Sequence, residues 1–301
     1  TFPASGELLR RVVAGYGGVV NILCTMPGRY GDVLWAMPTV RAISETYGNP
    51  PVDLILSEKY GSLKGLLERQ AYIQRVIVEA DWRVEETAPL TPRVPPMVSG
   101  LVAEQINSEY ALIFHLGYDG WPAPDLARDI YNRANSFNTL HDLDLTRPWI
   151  TPPYPDVETC DLTIGFTDEH FELKYGLYWL LRNRFAVDHK LVVVCNSSRW
   201  QTEASHPTWE WESAASWIAK SRVFVGCCSA LHVLACAVGV PVICVEPAPA
   251  RHQEVFYPYG KTGQVTLLMG NDGLPTVDAR HLADAVEESW RRAETGAGVE
   301  R

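Results

Sequence analysis

Asp32 is the residue in this chain whose position best suits chemistry, because its lone carboxylate follows a glycine between an apolar run and a helical pattern. Residues 29–38 read Arg-Tyr-Gly-Asp-Val-Leu-Trp-Ala-Met-Pro. The apolar run at 19–24 predicts a buried strand, and apolar residues recur at helical spacing from Val33 onwards. Asp32 is therefore expected near a helix start, where a carboxylate suits the helix dipole. It either caps that helix or lies under a cleft that the rest of the chain builds.

A second stretch of interest, residues 222–245, places a short polar turn between two apolar runs. The run at 223–225 ends in a glycine, and Cys227, Cys228 and Ser229 precede a helical pattern at 230–238. Ser229 is a natural helix N-cap. The first backbone N–H groups of a helix have no intrahelical acceptor, so this turn can bind a diphosphate without a metal.

Both stretches resemble segments of the heptosyltransferase-like family, glycosyltransferase family nine. The resemblance implies that Asp32 is the base that takes a proton from an acceptor hydroxyl. It also implies that the second stretch binds the nucleotide diphosphate of a donor, through Cys228, Ser229, Ala230 and His232. The chain departs from the family pattern at two points: Cys228 stands where an Asp is usual, and His232 is displaced by one residue, which turns a helical side chain by about 100°.

Further candidates follow other predicted strands. After the strand at 191–195, Arg199 lies where the family carries a cationic residue, and a guanidinium can bind two phosphate oxygens at once. Glu246 follows the strand that comes after the helical pattern at 230–238, and it could bond nucleoside hydroxyls. On the acceptor side, ligands of parallel sheets lie beyond the carboxyl ends of strands. The acceptor-side candidates are Gly31, His115, Tyr118, Asp119 and Trp121.

The alternation of strands and helices in both halves predicts an α/β protein with parallel sheets. The resemblance implies two Rossmann-like parallel-sheet domains that face each other across a cleft, as in GT-B glycosyltransferases. We expect an N-terminal acceptor-side domain at 1–148, a C-terminal nucleotide-sugar-binding domain at 149–292 and a frayed tail at 293–301. Prolines place the linker at 146–156. Residues 62–70 are expected to form a helix, and residues 201–209 a loop, so that the second domain is a reduced one.

Composition narrows the function classes. The chain has 301 residues, 47% of them hydrophobic, and a formal charge of -10. Nucleic acid is a possible partner that this charge disfavours, since phosphate neutralisation needs a basic surface. No apolar run reaches about eighteen residues and no leader pattern is present, so we expect a cytoplasmic protein without a membrane span. Cysteine spacing gives zinc little support, and we expect neither a metal nor a cofactor.

The resemblance implies a metal-independent, inverting hexosyl- or heptosyltransferase that moves a sugar from a nucleotide-sugar donor to a glycan or another hydroxyl-bearing acceptor. Three alternatives stay open. The first is a sugar-nucleotide epimerase, in which His115, Asp119 and His232 could supply acid and base groups. The second is a sugar-nucleotide-binding module without catalysis, and the third is transfer of sugar to a modified nucleic-acid base.

Overall fold

The computed structural model describes residues 21–26, 29–79, 110–116, 147–166, 171–195, 206–207, 210–227, 229–246, 265–269 and 279–295. These residues form two parallel sheets with helices packed on them. None of the described helices is both long and apolar enough to cross a membrane.

The first sheet has the strand order β3-β2-β1-β4, and every pairing is parallel. Its strands are β1 (Ile22–Thr25), β2 (Val52–Ser57), β3 (Ile73–Glu79) and β4 (Leu112–His115). All residues of β1 and β2 are buried, as the apolar runs in the sequence predict. Helix α1 (Tyr30–Thr46) follows β1 directly and is buried from Val33 to Ser44.

The helix expected at 62–70 is shorter and tighter in the structure. A 3₁₀ helix (Glu58–Leu63) runs into α2 (Lys64–Leu67), a single α-helical turn. Two glycines, Gly61 and Gly65, lie in this segment, and glycine lowers the stability of a regular helix. Each glycine also permits a close approach, by Val78 to Gly61 and by Glu212 to Gly65. Packing against neighbouring elements has therefore overridden the apolar periodicity.

The second sheet has the order β10-β9-β8-β5-β6-β7, again with parallel pairings. Its strands are β5 (Cys160–Gly165), β6 (Leu191–Cys195), β7 (His206–Pro207), β8 (Ser221–Gly226), β9 (Val242–Glu246) and β10 (Val265–Met269). Its helices are α3 (Phe171–Phe185), α4 (Trp211–Ala219), α5 (Ala230–Ala237) and α6 (Ala279–Thr295).

Strand β7 corrects the expectation of a loop throughout 201–209. His206 and Pro207 pair in parallel with Val194 and Cys195 of β6, at the edge of the second sheet. A proline has no N–H to donate to a neighbouring strand, and it is tolerated at the edge of a sheet. The strand that would be third in a doubly wound half-sheet is therefore present but reduced to two residues.

In each sheet the order of the strands along the chain reverses at one point. In the first sheet the chain order reverses between β1 and β4, and in the second it reverses between β5 and β8. Ligands of such sheets bind beyond the carboxyl ends of the strands at these switch points. Helices α1 and α5 begin just after β1 and β8, so both start at a switch point.

The two sheets share one buried core. It joins α1 and the first sheet to α4, α5 and one face of the second sheet, and it includes Trp149 and Ile150 of the linker. A separate core lies on the other face of the second sheet, between α3 and α6. Helices α1 and α5 therefore pack on each other where the two domains meet.

Candidate active site

Asp32 lies in the first turn of α1, as the sequence predicts. The Arg29 backbone N–H donates to Asp32 Oδ2 at 2.8 Å, which closes the helix start. The side chain is only partly exposed. Burial raises the pKa of Asp32 to about 6, although the Arg29 N–H and the Arg29 charge both act to lower it. A carboxylate with this pKa is mostly ionised at neutral pH and close to the range that suits a general base.

Ser229 holds the N-cap position of α5 with an extended backbone, but its side chain does not cap the helix. Its hydroxyl oxygen is buried and has no hydrogen-bond partner within the part of the chain that the structure describes. An N-cap serine normally accepts a bond from the N–H two or three residues later. At the start of α5 the backbone donors are therefore not satisfied by their own cap.

His232 is completely buried one turn into α5. Its Nδ1 lies 3.1 Å from the Ser229 carbonyl oxygen, and because a carbonyl can only accept, this contact assigns the ring proton to Nδ1. The side chain thus bonds back to the cap residue of its own helix.

The first turns of α1 and α5 are in contact. A Cβ built on Gly31 would lie 3.6 Å from Ala230 Cα and 3.8 Å from Ala230 N, which is ordinary van der Waals distance. Gly31, the residue before Asp32, therefore lies beside Ala230, the residue after Ser229. The start of α1 carries the Asp32 carboxylate, whereas the first turn of α5 has no acidic residue, so the positive end of the α5 dipole is the part of this junction that favours an anion.

Two glycines end β5 and β8, the strands on either side of the second switch point. Gly165 and Gly226 are register partners. A Cβ on Gly226 would lie 2.5 Å from the Gly165 carbonyl oxygen, and one on Gly165 would lie 2.6 Å from the Phe224 ring, so neither position has room for a side chain. Gly226 belongs to the stretch singled out in the sequence, whereas Gly165 was missed. Its signal was the same, a glycine that ends an apolar strand.

An aromatic cluster of Tyr30, Tyr60 and Trp211 lies near Asp32 in sequence and joins the two domains. The Tyr30 ring lies 4.9 Å from the rings of both Tyr60 and Trp211. Ser62 joins them by hydrogen bonds, since its hydroxyl donates to the Tyr30 hydroxyl at 3.1 Å and accepts from the Trp211 indole at 3.2 Å. These residues come from α1, the 3₁₀ helix and α4, so their spacing in the sequence does not predict that they meet.

The remaining predicted site residues are only partly placed. His115 ends β4 beside Thr25 of β1, and Glu246 ends β9 beside Met269, so both lie at carboxyl ends of strands. Their side chains lie outside what the structure describes. Five further candidates lie entirely outside the described residues: Arg199, Cys228, Tyr118, Asp119 and Trp121.

No metal centre marks the site among the described residues. No group of three or more His, Cys, Asp or Glu side chains in this part of the chain could hold a metal ion. A small cavity of about 80 Å³ lies at the opposite, amino-terminal edge of the first sheet, where Asp53, Arg75 and Tyr110 line it. It is therefore separate from the junction of α1 and α5.

Solved structures show which fold this is. No family model and no curated protein sequence matches the chain. E. coli heptosyltransferase WaaC with ADP-2-deoxy-2-fluoro heptose is similar in structure, with a TM-score of 0.60, 13% identity, and coverage of 89% of this chain and 99% of that one. A family 9 glycosyl transferase from Veillonella parvula has a TM-score of 0.56, 14% identity, and coverage of 91% and 97%.

A third similar structure is described by a different activity. A Listeria monocytogenes protein described as a UDP-N-acetylglucosamine 2-epimerase has a TM-score of 0.52, 12% identity, and coverage of 92% of this chain and 91% of that one. At such identities the similarity concerns the fold. The predicted architecture is confirmed: the chain has the two-domain GT-B fold of the heptosyltransferase-like glycosyltransferases.

Proposed function

We propose that this protein is an inverting, metal-independent glycosyltransferase that moves a hexose or heptose from a nucleotide-sugar donor to an acceptor hydroxyl. The observation that carries the proposal is the close approach of Gly31 to Ala230. Asp32 follows Gly31 and Ser229 precedes Ala230, so this approach supports a site made of a carboxylate from one domain and a helix start from the other. The fold alone would not distinguish a transferase from other sugar-nucleotide proteins.

The donor diphosphate binds at the start of α5 in this proposal. The first N–H groups of α5, which have no intrahelical acceptor, are suited to phosphate oxygens, and so is the Ser229 hydroxyl, which has no partner among the described residues. Arg199 would add positive charge to the leaving diphosphate. This arrangement neutralises the diphosphate with protein groups, so it needs no metal. Similar WaaC structures carry ADP or an ADP-heptose analogue, which makes ADP-sugars the first donors to test.

Asp32 acts as the base on the acceptor. Ionised Asp32 takes the proton of the hydroxyl as its oxygen attacks the anomeric carbon from the face opposite the nucleotide, and the bond to the diphosphate breaks. One displacement from the opposite face inverts the anomeric configuration. The pKa of about 6 keeps the base ionised at pH 7 and still basic enough to accept a proton.

The test combines a donor screen with one variant. Wild-type protein is incubated with ADP-, UDP-, GDP-, CMP- and dTDP-sugars and a panel of glycan acceptors, and released nucleotide and product are measured. Asp32→Asn keeps the bond from the Arg29 N–H but removes the base. We expect it to bind donor with unchanged affinity and to lose at least about a hundredfold in kcat. An unchanged kcat in this variant would remove Asp32 from the role of base.

A sugar-nucleotide epimerase is the second candidate, favoured by the fold shared with the Listeria protein. The two reactions differ in what they require. An epimerase converts the donor sugar without any acceptor and leaves the nucleotide attached. Incubation with the donor alone therefore separates them: a new sugar nucleotide supports the epimerase, whereas acceptor-dependent nucleotide release supports the transferase.

A further inference from the structure

Pro38 leaves a gap in the backbone hydrogen bonding of α1. It lies in the interior of the helix, nine residues into a 17-residue element. A proline has no N–H, so the carbonyl four residues earlier, that of Leu34, receives no bond from the helix. Leu34 is completely buried, where water cannot replace the missing donor. A buried carbonyl without a partner would be costly.

Trp149 of the linker supplies the missing donor. Its indole Nε1 donates to the Leu34 carbonyl oxygen at 3.1 Å, across 115 positions of sequence. The Trp149 side chain is 2% exposed, so this bond is sealed from solvent. The Tyr72 hydroxyl in turn donates to the Trp149 carbonyl at 2.5 Å, which holds the same residue on the first domain.

The same tryptophan also bonds the other site helix. Helix α5 ends in a Schellman motif, in which Val240 N–H donates to the Ala235 carbonyl and Gly239 N–H to that of Cys236. The Ala237 carbonyl is left over by this motif. It accepts the backbone N–H groups of Trp149 at 2.9 Å and of Ile150 at 3.0 Å.

Trp149 therefore joins the two helices whose first turns form the candidate site. Its side chain bonds Leu34 of α1, one turn after Gly31, and its backbone bonds the carboxyl end of α5, while Ala230 lies beside Gly31 at the other end of α5. We propose that Trp149 is a positioning residue that sets the separation of Asp32 and Ser229, and that Pro38 is present because it frees the Leu34 carbonyl for it. The positioning role rests on the proposed function, whereas the exchange of hydrogen bonds does not.

A double-mutant cycle in urea unfolding tests the exchange of donors. Trp149→Phe leaves the Leu34 carbonyl unpaired and should reduce the folding equilibrium constant about fivefold or more. Pro38→Ala restores a helical N–H to that carbonyl. When Trp149→Phe is made in the Pro38→Ala variant, only packing is lost. We therefore expect the factor by which Trp149→Phe lowers the folding equilibrium constant to be at least about fivefold smaller there than in wild type.

Trp290→Phe is the matched control, because the buried Trp290 indole also donates to a backbone carbonyl, that of Asp161, at 2.9 Å. Trp290→Phe should lower the folding equilibrium constant by the same factor in wild type and in the Pro38→Ala variant. Equal losses from Trp149→Phe in both backgrounds would overturn the exchange. If Trp149→Phe alone does not fold, recovery of folded protein in the double variant supports it, and failure in both backgrounds contradicts it.

The positioning role is read from kinetics with the donor that the screen identifies. Trp149→Phe should lower kcat at least about tenfold while donor affinity, which depends on groups of the second domain, stays within about threefold. Trp290→Phe should leave kcat unchanged. Equal kcat in the two variants would overturn positioning. If wild-type protein shows no transfer, the proposed function fails, but the unfolding cycle still decides the exchange of donors.

Discussion

Gly31 and Ala230 come from different domains, yet the space that a Gly31 side chain would fill ends 3.6 Å away at the Ala230 backbone. This approach brings the first turns of α1 and α5 together, and Asp32 and Ser229 are the adjoining residues in sequence. The start of α1 already carries the Asp32 carboxylate, whereas the first turn of α5 has no acidic residue. The positive end of the α5 dipole is therefore the part of this junction that suits an anionic ligand.

The first prediction concerns the width of this junction. Gly31→Ala should be tolerated, because its Cβ makes an ordinary contact. Gly31→Val adds methyl groups that reach Ala230, and we expect a loss of about 1–3 kcal/mol in the free energy of unfolding together with weaker donor binding. Gly176→Val is the control, since Gly176 lies on α3 with open space around it. Similar donor affinity in the two valine variants would contradict the contact.

The second prediction concerns pH. The folded-state pKa of Asp32, about 6, lies above its ordinary value of 3.8, so folding favours the protonated form. Its stabilising contribution is full below about pH 4 and is lost as pH rises through 6. Asp32→Asn should therefore raise the free energy of unfolding at pH 8 by about 1–2 kcal/mol, less than the full shift because the carboxylate is partly exposed.

As pH rises, the stabilising contribution of Asp32 should fall while the activity that depends on its ionised form should rise. In wild-type protein, kcat/KM should rise with pH through about 6 and then level, because the base must be ionised. Unfolding of wild type and Asp32→Asn is measured from pH 4 to pH 8 alongside this profile. A stability difference that does not grow with pH would show that burial does not raise the pKa of Asp32.

The third prediction separates a structural role of Ser229 from a binding role. Loss of an N-cap hydroxyl usually costs about 1 kcal/mol, but the Ser229 hydroxyl caps nothing among the described residues. Ser229→Ala should therefore leave the melting temperature nearly unchanged and weaken donor binding. Ser221→Ala serves as the contrast, because the Ser221 hydroxyl donates to the Ile218 carbonyl at 2.7 Å and its loss should lower stability. A large loss of stability in Ser229→Ala with normal donor affinity would reverse the assignment.

The fourth prediction concerns the end of α5. Gly239 has a φ of +83° and faces the linker, where a Cβ would lie 2.6 Å from Pro148 Cγ. Gly48 has a φ of +91° and nothing within 4 Å of a Cβ. Both alanine variants pay for the left-handed backbone, about 1 kcal/mol, and Gly239→Ala should cost more because it also displaces the linker.

Pro148→Ala provides the check on this explanation. In the double variant Pro148→Ala/Gly239→Ala, the extra loss of stability that Gly239→Ala causes beyond Gly48→Ala should disappear. Urea unfolding of wild type, Pro148→Ala, Gly239→Ala and the double variant measures this. Equal costs for the two glycine variants would mean that the linker does not press on the end of α5.

Much of the local structure was readable from the residues. The apolar runs predicted the strands, and the helices begin and end within a few positions of where caps and glycines indicate. Asp32 and Ser229 were predicted at helix starts, and the order of strands and helices indicated two doubly wound sheets. These features depend on periodicity and on the backbone preferences of a few residues, which act over short stretches of chain.

Other features depended on contacts between distant segments. Pro38 predicted a missing N–H, but only the fold shows that the linker tryptophan replaces it. Ser229 was expected to cap α5, and its hydroxyl does not, because cap geometry depends on the surroundings of the turn. A side chain's type and spacing determine what it can donate, accept or bury, whereas its partner is decided by which elements pack together, and that choice is made by the whole core at once.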